Sequence, residues 1–360
     1  MPDHAVSLRV EVAPALTELA AQAVGQGLGG DGQRPDLAGA LRLAADLGHR
    51  LPVPAQGDTV GLWEALATLG AVDLTVARAV EPHLDALSIL DEARRHDQPV
   101  PEAWPDDAVW GVYAAEGPHR LEARPVGDGW VLSGEKLWCS LAEHVTHALV
   151  TAWVDDTRRG LFAVDLADPG VRPVAGATWV PRGLAEVRSS GLELSDVPAA
   201  AVGEPGWYLQ RPGFAWGGAG VAAVWYGGAV GVARRLRETG LRREPDQVGL
   251  LHLGAVDTLL TGARAVLLEA ARVADRDDVP PPVADLTATR VRQAVADAAE
   301  EVLARVGRAL GPGPLATDET HARRVADLTL YLRQHHGERD LARQGAAVLE
   351  KSAEEGWSWW

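Results

Sequence analysis

The chain has a single cysteine in 360 residues, Cys139, so no disulfide can form within it, and a lone thiol fits a reducing compartment. Lysine is almost as scarce. Lys136 and Lys351 are the only two, and arginine carries the rest of the positive charge. One methionine, two phenylalanines and four tyrosines leave aromatic bulk to thirteen tryptophans, which read first as core and interface packing. No apolar run reaches the roughly 20 residues of a membrane-spanning helix, and no membrane partner is expected. The opening Met-Pro-Asp-His-Ala-Val has neither the basic nor the apolar stretch of a secretory signal, so the expected location is cytoplasmic. Clustered cations are missing too: a formal net charge of −16 argues against a nucleic-acid surface. Paired Cys or His at metal-ligand spacing and a GxSxG elbow are absent, so no metal is expected. The glycines of Gly25-Gln-Gly-Leu-Gly-Gly-Asp-Gly32 have no preceding strand or following helix and read as a loop, not a dinucleotide fingerprint.

What is present fits a globular protein of two or three domains, with 47% apolar residues. Residues 1–103 read as helical, with Leu41, Leu43, Ala44 and Leu47, then Leu62, Trp63, Leu66, Leu69 and Leu74, at helical spacing. From 104 to 212 the texture changes to short β-rich runs separated by Gly, Pro and Asp. They are Val109–Ala115, Leu121–Val126, Trp130–Lys136, His147–Val154, Leu161–Leu166 and Val187–Leu194, which together predict an antiparallel barrel or sandwich. Residues 213–360 return to helical periodicity in four segments, the last two near Val291–Leu310 and Val325–Leu349, which predicts a four-helix bundle. The fold class is α+β: helical domain, β domain, helical bundle.

The most informative stretch is Gly127-Asp-Gly-Trp-Val-Leu-Ser-Gly-Glu-Lys-Leu-Trp-Cys-Ser140. Asp128-Gly129 signals a two-residue hairpin turn, and Gly134 lets another backbone or a ligand approach the following strand. Trp138-Cys139-Ser140 then sets a flat ring beside two small polar groups, which suits a planar aromatic ligand. Cys139 reads first as a small buried residue and second as a reactive thiol. In the last helix, Val325, Leu328 and Leu332 lie at i, i+3 and i+7, and His335 continues that inward face at i+10, with Arg324, Arg333 and Arg343 elsewhere. His335 is either a satisfied core histidine or a catalyst. The surrounding Tyr331-Leu-Arg-Gln-His-His-Gly-Glu-Arg-Asp340 packs many hydrogen-bonding groups into one segment, fit for a polar ligand or an ion-pair network.

The block Gly127–Ser140 and the domain order resemble the acyl-CoA dehydrogenase superfamily of flavoproteins over nearly the whole chain. The resemblance implies FAD bound between the β domain and the C-terminal bundle of a homodimer or dimer of dimers. It sets Trp138, Cys139 and Ser140 beside the flavin and Arg242 and Arg308 at its phosphates. Aligning Arg324-Val-Ala-Asp327 with the family's Arg–Asp pair puts His335 where the catalytic Glu stands, with Glu338 a possible substitute. Departures from the family pattern accompany it. Ala115, in Val112-Tyr-Ala-Ala-Glu116, replaces the hydroxyl that faces the flavin, and Gly117-Pro-His119 shortens the loop that helps hold CoA. Arg242-Arg-Glu-Pro-Asp246 keeps the Arg of a cofactor-contacting motif without its Phe and Gly, and Arg308 stands in for Gln in a segment that touches the dinucleotide. The implied activity is flavin-dependent oxidation of a small molecule, an acyl thioester (possibly as acyl-CoA) or a related carbonyl compound. A histidine in that helix also resembles the flavin monooxygenase branch of the same fold, and a non-catalytic relative serving as an interaction subunit is a third reading. Trp357-Ser-Trp-Trp360 packs on a partner subunit or frays.

Overall fold

The computed structural model describes residues 4–9, 11–29, 34–176 and 178–351; the Trp357–Trp360 tail and part of the Gly25–Gly32 loop lie outside them. The helices are α1 (Pro14–Gly25), α2 (Leu37–Gly48), α3 (Thr59–Val72), α4 (Leu74–Arg95), α5 (Trp207–Gln210), α6 (Gly213–Arg242), α7 (Gln247–Ala274), α8 (Pro281–Leu310), α9 (Gly313–Thr317), α10 (Glu319–Tyr331) and α11 (Gly337–Lys351). The strands are β1 (Trp110–Tyr113), β2 (Leu121–Val126), β3 (Gly129–Ser140), β4 (His147–Trp153), β5 (Arg159–Asp165), β6 (Val171–Pro173) and β7 (Ser189–Val202). The chain is thus mixed helix and sheet with a helical C-terminal region. Its contacts divide into two units. One comprises Met1–Arg34, Pro54–Leu74 and Ala215–Trp360, and the other Pro35–Val53 and Thr75–Phe214. The N-terminal helices are shared out accordingly: α1 and α3 fall in the first unit, α2 and nearly all of α4 in the second.

All seven strands of the second unit belong to one hydrogen-bonded sheet. Antiparallel pairings run from β2 through β3, β7 and β5 to β4, and the pair Glu122–Trp153 returns the ladder to β2. The β2–β3 turn is shifted by one residue from its expected place. Val126 pairs with Gly129, so the two turn residues are Gly127 and Asp128. Gly127 alone takes a positive φ, +57°, the pattern of a type II′ turn, which needs glycine only at its first central position. Gly134 meets expectation: at φ +123° a Cβ there would collide with the Arg120 carbonyl, so only glycine lets that backbone pass.

Helix α4 presents Ala86, Ile89, Leu90 and Ala93, an i, i+3, i+4, i+7 stripe, to Trp110, Leu149, Leu161, Val202 and Tyr208. Burying each of the larger side chains stabilises by roughly 1.5–3 kcal/mol. Two polar groups on the same helix fix its position. His83 accepts the Trp110 backbone N–H on Nδ1 at 3.2 Å. Burial, with the His49 charge second, takes its imidazole down to about 4. Glu92 accepts from Arg211 at 2.6 Å and from the Gly213 backbone N–H at 2.9 Å, one partner just before α6 and the other its first residue.

In the helical unit α3 is apolar all round and correspondingly buried along almost its whole length. Asp58 caps it from Gly61 N–H, and Asp275 accepts from Gly57, Thr59 and the Thr59 hydroxyl, tying the α2–α3 connection to the end of α7. Glycines let α3 and α6 approach closely: a Cβ on Gly70 would lie 2.6 Å from the Val224 carbonyl, and one on Gly227 would meet Ala67 O. Helix α7 packs on α3 and α8. By length and composition it is apolar enough to cross a membrane, contrary to the expectation that no apolar run reaches that length. Val248, Leu250, Leu251 and Val266 leave apolar surface on it exposed.

The fourth C-terminal helix expected from the sequence is two helices. Helix α10 ends at Tyr331, Leu332–Gln334 tighten to a 3-10 turn, and His335 has extended backbone before α11 begins at Gly337. Gly337, at φ +29°, opens α11 after that break in the helical run the apolar spacing implied. Arg324 is half-buried, donating to the Ala71 and Val72 carbonyls.

Candidate functional site

Within the sheet unit, the end of β3 is the most unusual surface. The β3–β7 register slips between Lys136 and Cys139, and Trp138 sits in that bulge at φ +61°, followed by Leu141 at φ +57°. Positive φ is an outlier for a bulky residue and accumulates at functional sites. The bulge turns Trp138 outward, leaving it 60% exposed. Its neighbours point the other way. Cys139 is fully buried, its thiol on the Lys136 carbonyl at 3.2 Å, and burial pushes it up to about 12. The Cys139 side chain is therefore the small buried residue of its first reading, not the reactive thiol of the second.

Ser140 forms a polar centre on the same rim. Its hydroxyl lies 2.8 Å from that of Ser189 and accepts from Arg78 at 3.3 Å, while its carbonyl accepts the Tyr113 hydroxyl at 3.0 Å. Ala115 is exposed just past β1. Beneath the rim, buried Lys136 donates to the Thr151 hydroxyl at 2.8 Å, the Thr151 carbonyl at 2.9 Å and Glu116 at 3.2 Å. Burial lowers the Lys136 amine and Glu116 opposes the shift. Burial acts upward on Glu116, but hydrogen bonds from Arg159 and Trp153 and the Lys136 charge take its carboxyl below the ordinary value. An exposed flat ring, with a hydroxyl pair and a guanidinium gathered at Ser140 two residues on, suits a planar, hydrogen-bonding heterocycle.

Within the helical unit, His335 is buried to 6% side-chain exposure despite leaving the helix. Its Nε2 lies 2.8 Å from Gln293 Oε1, and its Nδ1 lies 3.7 Å from the Asp340 carboxylate. The ring stands 5.7 Å from Trp225, edge on, and Arg292 covers Trp225 at 4.8 Å. Arg292 is held by the Gly218 carbonyl at 2.5 Å. Burial lowers the imidazole, Arg292 adds to the shift and Asp340 opposes it, so a neutral ring dominates at neutral pH. A neutral imidazole donates through one nitrogen and accepts through the other. With the Gln293 oxygen facing it, Nε2 carries the proton; with the amide turned, Nδ1 carries it toward Asp340. The pair can thus hold or pass one proton.

The remaining expected residues stand apart from His335. Glu338 is exposed in the first turn of α11, in the segment that also supplies Asp340. Arg308 lies beyond Gln293 on α8 by roughly 22 Å of helix rise, and Arg242 lies beyond Trp225 on α6 by roughly 26 Å. Arg308 is exposed and 3.8 Å from Glu301, and Arg242 is exposed at the end of its helix. Within one chain neither reaches the histidine cluster. The sequence did not single out Arg78, Ser189, Arg292 or Gln293, and it read Trp225 as core. Each joins its cluster through contacts tens of residues apart.

No protein-family model matches the chain, and no curated protein matches it in sequence. Solved structures do match in fold. KijD3, solved with FMN and dTDP-3-amino-2,3,6-trideoxy-4-keto-3-methyl-D-glucose, superposes with a TM-score of 0.78 at 20% identity over 98% of both chains. Glutaryl-CoA dehydrogenase from Mycobacterium smegmatis gives 0.73 at 19% identity over 92% of both. The dibenzothiophene monooxygenase TdsC from Paenibacillus sp. A11-2 gives 0.71 at 16% identity over 87% of both. At these identities the likeness is one of fold.

Proposed function

We propose, from a chain that has the fold of acyl-CoA dehydrogenase-type flavoproteins, a flavin-dependent oxidoreductase acting on a small molecule with an activated carbonyl, such as an acyl thioester. The observation that carries this reading is Trp138: an exposed indole held at positive φ two residues before Ser140, whose hydroxyl meets Ser189 and Arg78. No packing role explains an exposed ring in a strained conformation, whereas a stacked isoalloxazine does. The bound flavin, FAD in this reading, supplies the redox chemistry by accepting a hydride equivalent. Trp138 would stack on its ring, Ser140 and Ser189 would hydrogen-bond the ring edge, and the Cys139 and Ala115 backbones would line it. His335 would take the substrate proton, its neutral form available at neutral pH and its protonated form facing Asp340. Glu338 is the alternative acceptor. Arg242 and Arg308 would hold the phosphates of a flavin carried by a second copy of the chain, which supports a homodimer or larger homo-oligomer. The exposed apolar residues of α7 support the same assembly.

A second reading is favoured by His335 itself. A histidine standing where the fold's dehydrogenases use a carboxylate suits a flavin monooxygenase, and both KijD3 and TdsC have been solved with FMN. The visible spectrum of purified protein, before and after adding FAD or FMN, tests the common core: a flavin absorbance that stays with the protein on gel filtration is expected, and a colourless protein that ignores both flavins would overturn it. Anaerobic bleaching by an acyl-CoA then supports the dehydrogenase. Oxygen uptake with reduced flavin supports the monooxygenase. His335→Ala is expected to retain flavin and lose at least 100-fold in kcat, and unchanged turnover would reject the base assignment.

A further inference from the structure

Helices α6 and α7 and residues 5–7 line a partly open cavity of about 380 Å³ that the flavin reading leaves unused. Its wall on α6 carries Tyr226, Val230, Arg234 and Arg237, which fall on one helical face at three- and four-residue spacing. The wall on α7 carries Leu260 and Arg264, again four apart. The third wall is rigid, because Thr68 donates to the Val6 carbonyl and accepts its N–H.

The chemistry inside is one-sided. In a chain of net charge −16, the described residues lining this cavity include three arginines and one carboxylate, Asp257. Arg234 is braced by the backbone carbonyls of Ala5 at 3.3 Å and Ala71 at 3.5 Å, which fix its guanidinium at the cavity edge. Arg264 makes no hydrogen bond or ion pair among the described residues. Tyr226 is buried, and burial pushes its hydroxyl up to about 12, with the charges of Arg264 and Arg234 acting the other way. The phenol therefore remains a donor at neutral pH, and both guanidiniums act on the space around it. Guanidiniums and a phenolic O–H offer donors, and guanidinium geometry matches the two oxygens of a carboxylate or phosphate. The aliphatic surface of Val230, Val256 and Leu260 beside them suits a hydrocarbon body.

We propose that this cavity binds a small amphiphilic oxyanion, a carboxylate or phosphate monoester carrying an aliphatic chain, at a site separate from the flavin chemistry. The guanidiniums would take the head group and the aliphatic lining the tail. The site does not depend on flavin, so a colourless protein would leave it standing. Titration calorimetry on the full-length chain tests it with octanoate, octyl phosphate and 1-octanol as probes. One-to-one binding of octanoate or octyl phosphate is expected, with 1-octanol at least tenfold weaker; whichever anion binds more tightly identifies the head group. Arg264→Gln is expected to weaken anion binding at least tenfold while the unfolding midpoint stays in place, and Arg237→Gln is a second variant should the first fail to fold. Binding of 1-octanol as tight as the anions, affinity unchanged in the variants, or no anion binding up to millimolar concentration would each overturn the proposal.

Discussion

Trp138 combines two properties that oppose each other. Positive φ costs a bulky residue on the order of 1–2 kcal/mol, and an exposed ring recovers little of that by packing. Replacing it by glycine removes the conformational cost while adding freedom to the unfolded chain. Trp138→Gly is therefore expected to leave unfolding free energy unchanged or raise it by up to about 1 kcal/mol, while flavin affinity drops at least tenfold. Urea denaturation and flavin titration of the same sample read both effects, and a loss of stability parallel to the loss of affinity would make Trp138 a structural residue instead. His83 gives a prediction of a different kind. Its folded value, about 4, lies below the 6.5 of the unfolded chain, so its contribution is fully present above pH 6.5 and is lost as pH falls toward 4. The size of that loss is roughly 3 kcal/mol. Denaturation between pH 7 and 4 should show it, and His83→Asn, which keeps an acceptor near the Trp110 N–H, should flatten that part of the curve.

Between elements, the tightest constraints are glycine contacts and buried ion pairs. A methyl on Gly227 would push into the Ala67 carbonyl, so Gly227→Ala is expected to destabilise by about 2–3 kcal/mol despite the better helix propensity of alanine. Thermal unfolding measures it, and a stabilised variant would mean that α3 and α6 separate at little cost. Glu92→Gln leaves Arg211 buried beside a neutral partner, with only Asp85 at 3.6 Å to offset it, and should cost about 3–5 kcal/mol. At this scale the sequence was legible where signals are local. Strand β2 and the starts of β4 and α6 fall where turn residues and periodicity put them. Strand β7 runs to Val202, well past the expected Leu194, because its second half is held by pairing with the start of β3 and with β5, which no local pattern encodes. The apolar spacing through Leu332 predicted a continuous helix, but the run breaks at Leu332–His335, ahead of the Gly337 that opens α11. The candidate site divides the same way. Trp138 and Ser140 are neighbours in sequence and were found, whereas Arg78, Ser189 and Gln293 reach their partners across 62, 49 and 42 residues.

For the whole molecule, the proposal requires assembly, since the exposed Arg242 and Arg308 have no cluster of their own chain to serve. Sedimentation is expected to report a dimer or tetramer, and Leu250→Glu with Leu251→Glu on α7 should lower the assembly state and weaken flavin binding together. A monomeric wild-type chain that holds flavin with full affinity would reject that link. The scarcity of lysine has its own consequence at this scale. The amine of Lys136 is enclosed by Thr151 and Glu116 inside the sheet, and its only companion among lysines is Lys351 at the chain's far end. Amine-acylating reagents can reach Lys136 only when those strands part. Its rate of acetylation under native conditions is thus a built-in stopwatch for opening of that sheet, read by mass spectrometry at one residue and with no engineered probe.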